Sequence, residues 1–345
     1  MKKLFLHIGF NKTGSTSIQK DMAANSANLK AQGILYPFRP SAPYMQGRQH
    51  VPLAAAVPGR RVRWLMKRKR KNLDHAFPAL HAELAAQEFG TLVLSSESFG
   101  SQSMDAAKVA WLKEQFTGYD ITVIAYIRRQ DAYFLSAYQQ RIKAGSTTRF
   151  DFRLHEIMPA LRFDRRLALW REAFGAQKVI VRPFERRFWP EGELCFDFLE
   201  TIDADRRGIT PASPANDGLD YRAVELMRQL NLKNADTRKR DKSGFHQRRK
   251  TYLALAKSLE AYLPDGFEKQ KLMLSAEEAN MLRRHYRDSN EAALAGTGIS
   301  ADDFFPPVPE SREARLPPNR LPQRMLLQLT AALAAAEPAT PLDTK

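Results

Sequence analysis

Ile121 to Ile127, ITVIAYI, is an almost unbroken apolar run without a charge. A strand that is apolar on both faces must be covered on both faces, as in the parallel sheets of α/β proteins. Lys3 to Ile8 and Thr91 to Ser95 have the same character, and Ile34 to Tyr36 and Lys178 to Val181 read as shorter strands. Between them lie helical patterns at Ser15 to Lys30, His50 to Val57, Ala76 to Phe89, Ala106 to Phe116 and Asp131 to Lys143. This alternation predicts a parallel sheet with right-handed crossovers. Beyond Glu191 the pattern turns helical: Glu193 to Ile202, Tyr221 to Leu230, Lys250 to Tyr262 and Ser275 to Leu294. Pro306 to Pro322 is proline-rich and reads as extended, and Gln323 to Glu337 reads as a terminal helix. The expected organisation is one α/β domain over 1–305, with an inserted loop and helix region at about 37–75, followed by a segment over 306–345.

The first strand runs directly into Gly9-Phe10-Asn11-Lys12-Thr13-Gly14-Ser15-Thr16, and a helical pattern begins at Ser15. Strand, glycine loop and helix open many nucleotide-binding folds. The glycines permit a tight turn, and the first amides of the helix point at an anion. The two glycines have P-loop spacing, so the expected class is an α/β, P-loop-NTPase-like parallel sheet flanked by helices, with a mostly helical C-terminal half. A P-loop also needs lysine immediately after its second glycine. Here Ser15 stands there, and the lysine sits inside the loop at Lys12. The backbone argument survives the change. What is lost is the lysine that reaches a β/γ-phosphate and the partner of a bound magnesium.

The run from His7 to Ser17 resembles the 5′-phosphosulfate loop of sulfotransferases that use 3′-phosphoadenosine 5′-phosphosulfate (PAPS), with their Lys-x-Gly-Ser/Thr-Ser/Thr core. The resemblance implies that Lys12 contacts the bridging oxygen and the transferring sulfuryl group. It further implies that Thr13, Gly14, Ser15, Thr16 and Ser17 hold the 5′-phosphate. Ala125 to Gln140 resembles the 3′-phosphate motif of the same family, in which a strand ends in arginine and the next helix bears a serine. Arg128 and Ser136 have that separation and are expected to bind the 3′-phosphate. Arg129-Gln130 departs from the Asp-Pro that often follows the arginine. Val181 to Glu185, Asn216 to Leu219 and Tyr286 to Glu291 resemble later family segments more weakly, and Gly218 stands where a serine is usual.

Sulfuryl transfer is an in-line displacement, so a base must take the acceptor's proton. Two residues are candidates. His50 lies in Gly47-Arg48-Gln49-His50-Val51, where related bacterial enzymes carry a histidine. Glu97 follows the strand Thr91 to Ser95 at its C-terminal edge, where ligands bind in open α/β sheets. His50 is placed slightly ahead of Glu97. His7 is read as structural, and no Cys/His or His/Glu pair has metal-ligand spacing, so no metal is expected.

Lys and Arg number 54 against 38 Asp and Glu, a formal charge of +16. Such a surface attracts anions. The charge clusters at Arg60 to Lys71 and Arg238 to Lys250, each read either as a solvated face or as a contact with anionic surfaces. Neither cluster has the aromatic interleaving of a nucleic-acid binder, so no specific nucleic-acid partner is expected. The single cysteine, Cys195, fits a reducing compartment and reads as a small buried hydrophobe. The apolar stretch at Leu4 to Leu6 is too short for a signal peptide, and no run approaches about 18 apolar residues, so the expectation is a cytoplasmic protein. The function expected is transfer of a sulfuryl group from PAPS to a hydroxyl, with a carbohydrate as the acceptor. The competing classes are a small-molecule kinase of P-loop type and a non-enzymatic basic protein that binds nucleic acid or membrane.

Overall fold

The structure is a computed structural model of the 345-residue chain. It describes every residue except 61, 63–64, 157, 212–217, 234, 236–249, 255, 257–268, 319–345 and the side chain at 68. By Cα packing the chain forms two compact units, Met1–Gln130 with Ile157–Asn216 and Arg283–Pro307, and Asp131–Glu156 with Asp217–Leu282 and Val308–Lys345.

The first unit carries a five-stranded, wholly parallel sheet in the order β2-β3-β1-β4-β5. Its strands are β1 (Lys2–His7), β2 (Ile34–Leu35), β3 (Thr91–Ser95), β4 (Tyr119–Ile127) and β5 (Val179–Pro183). The expected P-loop-like parallel α/β sheet is present. β1 lies between β3 and β4, with His7 opposite Ser95 on one side and Ile124 on the other. β1 and β3 therefore end level, β4 continues from Ile124 to Ile127, and the segments leaving all three start from one edge of the sheet.

Helices cover both faces, which is why the central strands need no polar side. Phe5, Val93, Ile124 and Tyr126 pack with Ile18 and Met22 of α1 (Ser15–Ala24) and with Phe198, Leu199 and Ile202 at the end of the chain segment that contains Leu194–Thr201. Ser15 to Lys30, expected as one helix, is two: α1, then α2 (Ser26–Ala31). Asn25 makes the break, its Nδ2 donating to the carbonyls of Asp21 (2.9 Å) and Thr210 (3.1 Å). Such side-chain bonds compete with helix continuation. Next come α3 (Val51–Ala56), α4 (Lys67–Arg70), α5 (Ala76–Ala85), α6 (Ala106–Glu114) and α7 (Gln130–Lys143). The sequence reading passes over α8 (Phe163–Phe174), which packs on β4, β5 and α6. It buries Phe163, Leu167 and Trp170, a helical spacing that was there to be read. The expected helix over Ser275 to Leu294 also divides, at Tyr286, into Ala276–His285 and Arg287–Leu294. Cys195 is buried, and burial pushes its thiol up to about 12, so it stays protonated as a small apolar group.

In the second unit, Tyr138 and Ile142 of α7 meet Ala223, Val224 and Met227 of α10 (Tyr221–Lys233), the helix after α9 (Leu194–Thr201). Asn231 ties the end of α7 by donating to the carbonyls of Ile142 (2.9 Å) and Ser146 (3.0 Å). Within the proline-rich stretch, Arg315 forms an isolated antiparallel bridge with Met273. The expected terminal helix, positions 238–249 of the second basic cluster, Asn216 and most of the helix predicted over Lys250 to Tyr262 lie outside the described residues. Among the described residues no helix is long and apolar enough to cross a membrane.

Candidate functional site

The loop between β1 and α1 is shaped by close approach. Gly9 and Gly14 have φ of 47° and 76°, and Gly14 is the N-cap of α1. A Cβ on Gly9 would meet the Ser15 hydroxyl at 2.8 Å, and one on Gly14 would meet Leu194 at 2.5 Å and the Phe184 ring closer still. Only glycine fits either position. Thr13 closes the turn by donating its hydroxyl to the Phe10 carbonyl at 2.5 Å. No side chain caps α1 and no acid stands in its first turn. The Ser15 hydroxyl is buried without a hydrogen-bond partner. Buried polar groups without partners are uncommon and need an explanation. Thr16 is exposed and Ser17 half-buried at the same helix end.

Lys12 is one of the non-glycine residues with positive φ, at 69°. That conformation costs an L-residue roughly 1–2 kcal/mol. It is held from outside: Arg128, just beyond β4, donates to the Lys12 carbonyl at 3.0 Å. The Arg128 guanidinium lies over the Phe184 ring, 5.3 Å from its centre. Its neighbour Arg129 is differently employed, paired with Glu185 at 3.2 Å and set over the Phe305 ring.

Glu97 sits half-buried in the turn that follows β3. Ser96 donates its amide to the His7 carbonyl at 3.1 Å, and Gly100 donates to the Ile8 carbonyl at 2.9 Å, so the turn is docked on the loop. A Cβ on Gly100 would strike the Ile8 carbonyl at 2.8 Å and the Gly9 carbonyl closer still, so the docking requires glycine there too. The charges sense each other. Burial, then the charge of Arg128, pull the Lys12 pKa down, while Glu97 opposes them. Burial raises the Glu97 pKa and Lys12 opposes it. An ammonium, a carboxylate and a guanidinium thus converge where the three central strands end. Of the residues named from sequence, the loop, Glu97 and Arg128 are brought together. Ser136 lies half-buried on α7 in the second unit.

His50 has a different setting. It is fully buried, its Nε2 donates to the Pro37 carbonyl at 3.1 Å, and its Nδ1 accepts from the Ser95 amide at 3.1 Å. Its own amide donates to the Ser95 carbonyl at 3.0 Å. Both ring nitrogens are occupied by backbone, so the ring acts as a splint for the end of β3. His7 is buried likewise, with Nδ1 on the Ser95 hydroxyl at 2.8 Å, a hydroxyl that Gln19 also bonds at 3.1 Å. Sequence reasoning missed Gly100, although a glycine soon after a strand-edge carboxylate was available as a signal. It also passed over Arg166, which α8 carries to the same turn.

The two histidines predict acid sensitivity. Burial holds His7 down to about 3 and His50 to about 4, against an ordinary 6.5. The unfolded chain takes up protons below 6.5 that the folded chain refuses, so stability must fall as pH drops from 6.5 toward 4. Each tenfold difference in proton affinity between the folded and unfolded chain is worth about 1.4 kcal/mol per group, so the pair costs several kcal/mol across that window. Urea midpoints measured at pH 7, 5.5 and 4.5 should decline steadily, and His50→Asn should flatten the slope by about one proton. A level profile down to pH 4.5 would show that neither ring is held neutral.

No family model matches the chain, and no solved structure matches it. Over 113 residues it is 29% identical to a protein of Archaeoglobus fulgidus described as an uncharacterized protein. That similarity covers 32% of this chain and spans 30% of the archaeal protein's length.

Proposed function

We propose that the chain is a sulfotransferase that moves a sulfuryl group from PAPS to an acceptor hydroxyl. The observation that carries the reading is Lys12, held at φ 69° by Arg128 and within electrostatic reach of Glu97. A lysine inside the loop reaches the root of a phosphate chain, where the S–O bond breaks, rather than its far end. The cradle suits the nucleotide: glycines too close-packed for a side chain, an uncapped helix start, the buried Ser15 hydroxyl and the Arg128 guanidinium. In the reaction the acceptor oxygen attacks sulfur, and Glu97 takes the hydroxyl proton. The bond from sulfur to the bridging oxygen breaks, and Lys12 meets the charge left on that oxygen as adenosine 3′,5′-bisphosphate departs. Glu97 is preferred to His50 as the base because both nitrogens of His50 are already hydrogen-bonded. Raised by burial, the Glu97 carboxylate is a stronger base than an exposed glutamate.

Ligand stabilisation tests the nucleotide half of the reading. Adenosine 3′,5′-bisphosphate should raise the melting temperature clearly, since a ligand at 100 times its Kd adds about 2.7 kcal/mol. AMP, lacking the 3′-phosphate, should do far less, and Arg128→Ala should erase the difference. Equal shifts from both nucleotides, or a preference for ATP with magnesium, would defeat the assignment. Transfer itself is read with labelled PAPS against a panel of hydroxyl compounds. The panel starts with sugars and acidic polysaccharides, because a chain of net charge +16 attracts anionic acceptors.

A further inference from the structure

We infer that Arg60 and Arg166 are positioning residues that clamp the Glu97 turn by donating to the carbonyls of Ser98 and Gly100. The inference rests, for its effect on transfer, on the reading of Glu97 as the base. A carboxylate that must meet a proton needs its geometry held to within about half an ångström. Glu97 sits in a turn, not in a strand, so the sheet's ladder does not restrain it.

Arg60 opens the first basic cluster, yet it is buried. Its Nη2 donates to the Ser98 carbonyl at 2.7 Å and to the Ser101 hydroxyl at 2.6 Å. Its Nη1 donates to the Ala54 carbonyl of α3 at 2.5 Å, and Nε and Nη2 both reach the Ser103 hydroxyl. Burial lowers its pKa to about 10, which leaves it charged at neutral pH. These partners are all neutral oxygens, so its charge strengthens bonds to the turn instead of being spent on a carboxylate.

Arg166 approaches from α8. Its Nη2 donates to the Gly100 carbonyl and its Nη1 to the Ala160 carbonyl at 3.4 Å. Its guanidinium lies 3.7 Å from the centre of the Phe10 ring, which stacks on Phe163. Phe10 belongs to the lysine loop and Gly100 to the carboxylate turn. One guanidinium therefore touches both, while Arg60 holds the turn two residues away.

The test uses the full chain and reads amide hydrogen exchange at Phe99, bonded to the Ser96 carbonyl, and at Gly100, bonded to the Ile8 carbonyl. In Arg60→Met and Arg166→Met these amides should exchange at least about tenfold faster, while Leu6 and Val123 in the sheet keep their rates. Arg60→Lys should fall between, since an ammonium can serve one carbonyl but cannot span Ala54, Ser98 and Ser101 together. In the transfer assay kcat should fall about 10–100-fold with KM for PAPS within about threefold, because misplacing a catalytic group costs rate more than binding. Unchanged exchange at Phe99 and Gly100 overturns the clamp. Should the methionine variants loosen the whole sheet, the lysine variants Arg60→Lys and Arg166→Lys decide, and loss spread evenly over the sheet there overturns it as well. Faster exchange confined to the turn with undiminished kcat upholds the clamp and removes Glu97 from the chemistry.

Discussion

Replacing Lys12 by alanine should lower kcat about 10²–10³-fold, the usual loss on removing one preorganised donor aimed at developing charge. In the proposed transfer, charge on the bridging oxygen grows as the S–O bond lengthens, so the ammonium should bind the transition state more tightly than the ground state. Affinity for adenosine 3′,5′-bisphosphate should change only a few-fold, because the loop amides, the Ser15 hydroxyl and Arg128 remain. The backbone should survive as well. Alanine at φ 69° carries the same conformational penalty as lysine, and the Arg128 bond is to the carbonyl, not to the side chain. Lys12→Gly separates the two contributions: it relieves the backbone, so it should melt no lower than Lys12→Ala while being equally slow. Lys12→Arg should recover little, since a planar fork differs from a compact ammonium. Single-turnover transfer measured beside bisphosphate binding checks all of this. Full transfer activity in Lys12→Ala would show that the loop grips phosphate without taking part in the chemistry.

Glu97→Gln should cost about 10²–10⁴ in kcat, the range for a positioned general base. Its pH signature is more specific than its size. In the proposed reaction the base acts deprotonated and the lysine protonated, so kcat/KM should rise through the Glu97 pKa and fall through that of Lys12. Burial moves the first above its ordinary 4.5, and burial with Arg128 moves the second below its ordinary 10.5, so the active window is narrowed from both sides. Glu97→Gln should abolish the acid limb. In Lys12→Ala the residual acid limb should shift upward, because the lysine charge is what opposes the rise at Glu97. Arg128→Ala should shift the alkaline limb upward, since Arg128 disfavours the Lys12 charge. An acid limb that persists in Glu97→Gln would assign the proton transfer to another group.

The parallel sheet was legible because its evidence is local: ITVIAYI is apolar on both faces wherever it is placed, and such a strand needs two covers. The loop was legible for a similar reason, since its glycines and Lys12 follow one another in the chain and their backbone demands are short-range. Three features were not local. His50 stands in a segment that reads as a candidate base, but its chemistry depends on Pro37 and Ser95, which fold around it and occupy both nitrogens. Arg60 stands in a basic run that reads as a solvated face, but its side chain turns inward to Ala54, Ser98 and Ser101. The helix over Ser15 to Lys30 has a continuous pattern, but Asn25 is claimed by Thr210 from a distant stretch and the helix breaks there. A string of residues carries the periodicity that says which side chains are buried. Which hydrogen-bonding group meets which partner is decided by segments far away in sequence, and that decision separates a splint from a base and a clamp from a surface charge.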